Sequence, residues 1–112
     1  MAARISCTLV VFFFMGVALA LGGAVTSAPD PEHGKDLAGR LCSNCHLVGT
    51  GEQQQANADI PSFHEIGNLQ GQTAGQIMAH IVLPKHPMPT IPLTKTELAD
   101  LAAYILSLRD KE

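Results

Sequence analysis

Cysteine is scarce in this chain of 112 residues: there are three, and tryptophan is absent. Cys7 lies in an apolar leader, so only Cys42 and Cys45 belong to the body of the protein. Two cysteines cannot build the disulfide framework of a small secreted scaffold; they mark a single site. Positive charge is also thin, with seven Lys and Arg against ten Asp and Glu. Scattered lysines on a mildly acidic domain make no basic stripe, which argues against nucleic acid as a partner. No internal repeat is visible, and no segment shows the pattern of a strand.

What is present begins with the leader. Arg4 is the only charge before Asp30, Leu9 to Leu21 (LVVFFFMGVALAL) is almost wholly apolar, and Gly22 to Ala28 (GGAVTSA) is built of small residues. This order is that of a signal peptide over residues 1–28, cut after Ser27 or Ala28. The alternative is an uncleaved anchor to the inner membrane, since residues 5–28 just suffice for a bilayer core of about 30 Å. The shortness of the strongly apolar part favours cleavage. Either way residues 29–112 form one domain expected to be periplasmic or exported. Losing Arg4 takes the formal charge from −3 to −4 and leaves 84 residues, so thin a core that a disulfide, metal or cofactor is expected as a staple.

Along that domain Asp30 to Glu32 reads as a linker, with a helix from His33 or Gly34 into Leu41, where Leu37 and Leu41 share a face. Gly49 to Asp59 (GTGEQQQANAD) is polar and aperiodic, a surface loop, and Pro61 to Gly71 reads as a further loop. A short helix fits Thr73 to Leu83, with Ile77, His80 and Ile81 on one side, and Pro84 stops it. Three prolines in Pro84 to Pro89 (PKHPMP) exclude both helix interior and central strand. Thr94-Lys95-Thr96-Glu97 is a capping box, followed by the helical stripe Leu98, Leu101, Ala102, Ile105 and Leu108, with Tyr104 near the same face. The fold is therefore all-α, about three helices joined by long loops, and it lacks the apolar bulk to close a core by side chains alone.

Leu41 to His46 (LCSNCH) offers three chemistries. A redox-active disulfide normally sits on a thioredoxin-like βαβ fold, which is not seen here. Tetrahedral zinc would need two more ligands beside Cys42 and Cys45; His64, His80 and His86 lack the usual paired spacing. Covalent haem uses every residue. The two thiols add across the porphyrin vinyl groups, and His46 is turned beneath the ring to bind iron. For the opposite face of the iron the candidates are Met88, Met78, His64, His80 and His86. Met88 leads, because Pro87 and Pro89 stiffen the loop that holds it, and His86 is the fallback. Met78, inside a helix, reads better as core filler. The Pro61 carbonyl is the candidate acceptor for the second ring nitrogen of His46.

These residues resemble the class I c-type cytochromes, the small bacterial monohaem members, across nearly all of residues 29–112. Cys42 to His46 matches the haem motif, and Gly34 resembles the helix-crossing glycine that packs against residues like Leu101 and Tyr104. Pro61-Ser62-Phe63-His64 resembles the loop whose proline carbonyl bonds the proximal histidine, and Met88-Pro89 resembles the distal methionine loop. The resemblance implies a small cytochrome c fold, three to four helices with long loops around one covalently bound haem c and its iron. It departs from longer relatives in lacking Trp and having one Tyr. The usual aromatic donors to the haem propionates are thus absent, with Asn68, Gln70 or Gln72 as alternatives. The lysine-rich docking face of mitochondrial members is missing too.

The expected function is a one-electron carrier, not an enzyme, free or as the cytochrome component of a respiratory or dehydrogenase system, exchanging electrons with redox partner proteins. If Met88 does not bind iron, the rival is a ligand-binding haem, a gas sensor or weak peroxidase.

Overall fold

The computed structural model describes residues 27–49 and 59–111, together with Gly23. The leader expected over residues 1–28 lies outside the described residues, apart from Gly23, Ser27 and Ala28, as does most of the Gly49 to Asp59 loop. The described residues form four helices and no strand.

Helix α1 spans Pro31–Leu41, starting before the position expected from sequence. The Asp30 side chain accepts from the amides of Glu32 and His33, and Pro31 opens the first turn. An acidic N-cap followed by proline is pre-organised for a helix start, because proline's fixed φ suits a position whose amide needs no partner. The segment expected as a linker is thus the helix's beginning. Helix α2, Phe63–Asn68, lies inside the expected Pro61 to Gly71 loop. Its signal is local: Ser62 and Glu65 form a reciprocal capping box, and six residues are too few for an apolar stripe to show. Helix α3, Ala74–Val82, is capped by Thr73 and Gln76 in the same way. Helix α4, Lys95–Ser107, carries the expected Thr94–Glu97 box.

The packing centre is α4, which meets each of the other three helices and α1 most extensively. Two glycines allow this. A Cβ on Gly34 would fall 2.1 Å from the Asp100 carbonyl oxygen and 2.9 Å from the Tyr104 Cβ, and one on Gly67 would fall 2.5 Å from the Ile105 carbonyl oxygen. No larger residue fits where backbones approach so closely. Around the first crossing Leu37, Ala38, Leu101, Ala102 and Ile105 are almost wholly buried. A polar clamp closes its N-terminal end. The buried Asp100 carboxylate accepts from the Asp30 amide at 2.7 Å and from His33 Nδ1 at 2.8 Å.

Candidate functional site

The loop after α1 turns back on itself through the amides of Cys45 and His46, both donating to the Cys42 carbonyl. This compact turn aims Cys42, Cys45 and His46 into one cleft of about 520 Å³. Cys42 is buried and Cys45 exposed, and the two are not joined in a disulfide. Burial, and secondarily the neighbouring Cys45, push the Cys42 thiol above its ordinary pKa. A thiol-exchange cysteine needs the opposite shift, toward thiolate.

His46 is held from two sides. Its Nδ1 lies 2.8 Å from the Pro61 carbonyl oxygen. A carbonyl can only accept, so Nδ1 is the donor, and in the neutral ring this tautomer leaves the lone pair on Nε2. The ring also stands 5.3 Å from that of Phe63 in a tilted arrangement. Phe63 is tied in turn by its amide, which donates to the Leu47 carbonyl at 2.9 Å. Tyr104 completes the support from α4: its hydroxyl donates to the buried Val48 carbonyl at 2.6 Å.

The other wall comes from α3 and the proline-rich loop. Ile77, Ile81, Pro87 and Met88 line the cleft, Met88 half-buried, and the Met88 amide donates to the Lys85 carbonyl in a turn. Leu41 and Leu69 line the cleft while staying 38% and 58% exposed, so their apolar surface is turned toward it and not into the core. Of the remaining distal candidates, His80 lines the cleft, its Nδ1 donating to the Gln76 carbonyl. His86 and Met78 lie outside the lining, Met78 against the core, and His64 pairs with Asp110 at 2.8 Å. Gln72 enters the lining, whereas Asn68 and Gln70 do not. Among the described residues no cluster of three or more His, Cys, Asp or Glu could hold a metal ion.

The cytochrome c family model matches residues 31–109, all four helices and the cleft between them. The chain belongs to the cytochrome c family. The cytochrome is 43% identical over 99 residues to cytochrome c-552 of Bradyrhizobium diazoefficiens, an alignment covering 84% of this chain and 93% of that relative. No solved structure gives a significant match. The cytochrome is accordingly an electron-transfer protein whose cofactor is covalently bound haem c with its iron. The cleft fits that group. Its walls are apolar, its volume is that of a cofactor site, and it gathers two thiols, an imidazole nitrogen with a lone pair and a thioether.

Several contacts that shape the site escape the sequence. The Tyr104 bond to Val48 ends on a backbone carbonyl 56 residues away, and Arg109 also donates to backbone carbonyls. Backbone acceptors have no residue identity, so no motif announces them. Gly67 is different: a glycine in a short amphipathic segment is a signal for close approach.

Proposed function

We propose that this cytochrome is a periplasmic monohaem carrier of single electrons, free or as the cytochrome component of a respiratory or dehydrogenase system, with residues 1–28 as its export signal. Cys42 and Cys45 would hold the porphyrin through two thioethers, and His46 through Nε2 and Met88 through its thioether would bind the iron. Haem supplies the one-electron chemistry when bound. The chain's residues set its conditions: a thioether favours ferrous iron and raises the potential, and two protein ligands leave no place for a substrate.

The observation that carries this reading is the bond from His46 Nδ1 to the Pro61 carbonyl. It orients the ring, fixes its tautomer and increases the basicity of Nε2, as the outer partner of a ligating histidine does. Pro61 thus serves the cofactor through its backbone. Met88, held by the turn from Lys85 and flanked by prolines, faces the same cleft from another segment. A ligand already held in place loses little entropy on binding.

The test is the mass of the denatured protein after maturation in a periplasm. The wild type should retain one haem through denaturation, and replacing Cys42 and Cys45 together by Ala should remove it and prevent folding. A wild-type chain without covalent haem, or a double variant that folds without it, would overturn the reading.

A further inference from the structure

The chain does not end its work with α4. Arg109 and Asp110, just past the helix, make four side-chain or amide bonds to the segment between His64 and Gln72. Arg109 Nε donates to the Gly67 carbonyl at 2.6 Å, and its Nη2 donates to the Gln72 carbonyl. The Asp110 amide donates to Asn68 Oδ1 at 3.0 Å, and Asp110 Oδ1 meets His64 Nε2 at 2.8 Å. This segment is a wall of the cleft: Ile66, Leu69 and Gln72 all line it.

Within itself the wall is weakly tied. Past α2 its internal bonds are the Leu69 amide to the Ile66 carbonyl at 3.4 Å, the Gln72 amide to the Leu69 carbonyl at 3.0 Å, and the Gln72 side chain to the Ile66 carbonyl at 3.1 Å. Gly71, at φ 72°, bends the chain between them. Nothing from Leu69 to Gln72 has the repeated bonding of a helix, so the position of that part of the wall, past the end of α2, depends on what holds it from outside. A planar guanidinium suits that task, since one rigid fork satisfies two carbonyls at once. Gly67 is already pressed against the α4 backbone at Ile105, so the fork extends an existing contact.

We propose that Arg109 is a positioning residue that latches the 66–72 wall against the haem cleft and keeps water from it. This rests on the proposed function, because it assigns the wall a task toward the bound cofactor. Arg109 touches neither iron nor porphyrin in this account; it acts through Leu69 and Gln72. A loosened wall lets water nearer the iron, and a more polar surrounding favours the more highly charged ferric form, so the potential falls.

The experiment compares haem-loaded wild type, Arg109→Met and Arg109→Lys by amide hydrogen exchange and by reduction potential. Methionine keeps an unbranched apolar stem without donors. Lysine keeps the charge without the fork. In Arg109→Met the Leu69 and Gln72 amides should exchange at least tenfold faster, the α1 amides should be unchanged, and the potential should drop. Arg109→Lys should resemble Met in exchange. Full restoration of exchange and potential by lysine would show that charge alone matters and would overturn the latch. So would unchanged wall exchange, a uniform rise across all four helices, or faster wall exchange with an unmoved potential. Covalent haem in the wild type, read from its mass, tests the proposed function separately.

Discussion

At the scale of single residues the decisive feature is how few side chains do several jobs. Cys42 is both a core residue and a thiol of the haem motif; His46 is fixed by a carbonyl and a ring before any ligand enters. Met88→Ala should lower the reduction potential and open a coordination site, measured by potentiometry of the haem-loaded protein. Tyr104→Phe removes the donor to a buried carbonyl and should cost about 1–3 kcal/mol in denaturant unfolding. The clamp at His33 gives a pH dependence with a definite sign. Its hydrogen bond to Asp100 raises the His33 pKa above 6.5, and the same bond, followed by that from the Asp30 amide, holds Asp100 below 3.8. The Asp100 contribution is present above pH 3.8 and fades as the pH falls through the lowered value. The His33 contribution is full below pH 6.5 and fades as the pH rises through the raised value. Denaturant titrations should therefore show the clamp strongest between those limits. His33→Gln should flatten the alkaline decline, and Asp100→Asn should flatten both; a decline of wild-type slope in His33→Gln would dismiss the clamp as its source.

At the scale of elements, α1 and α4 are joined by a crossing that tolerates no side chain at Gly34. Gly34→Ala should destabilise by about 1–3 kcal/mol or more, since its new methyl meets backbone and not a flexible chain end. Gly39, also in α1, has nothing within 4 Å of its would-be Cβ. Gly39→Ala should stabilise by about 0.5–1 kcal/mol through helix propensity alone. Thermal melts of the two variants, moving in opposite directions, would separate crossing from propensity. Which elements were legible follows from how they announce themselves. α4 has a cap and three turns of stripe, and α3 has a stripe and a proline stop. α1 hid its start because Asp30-Pro31 looks like a linker until the pair is taken as N-cap and first turn. α2 hid behind Pro61 and its own brevity, although Ser62 and Glu65 spelled the same box as Thr94 and Glu97.

At the scale of the molecule, the four helices are a frame for a group that the chain itself does not supply. The haem motif was legible because covalent attachment demands particular residues at short spacing. The walls were not, because any apolar residue can line a cleft and only the fold decides which ones do. Leu41 shows the difference: its spacing puts it on one helix face with Leu37, and only the fold decides that Leu37 is buried while Leu41 lines the cleft. The polar ties between distant segments, His33 to Asp100 and Arg109 to Gly67, span 67 and 42 residues and carry no periodic signal. The proposed ligation joins these scales: His46 and Met88 would both hold the iron of the covalently bound haem, which would leave no place on it for a substrate. The most direct test is an optical spectrum of the periplasm-matured protein, oxidised and reduced, before and after carbon monoxide. With both ligands in place the spectrum should be that of a low-spin c-type haem with a weak far-red iron–thioether band, unmoved by the gas. A high-spin spectrum that shifts when carbon monoxide is added would mean an open face, and would contradict that ligation.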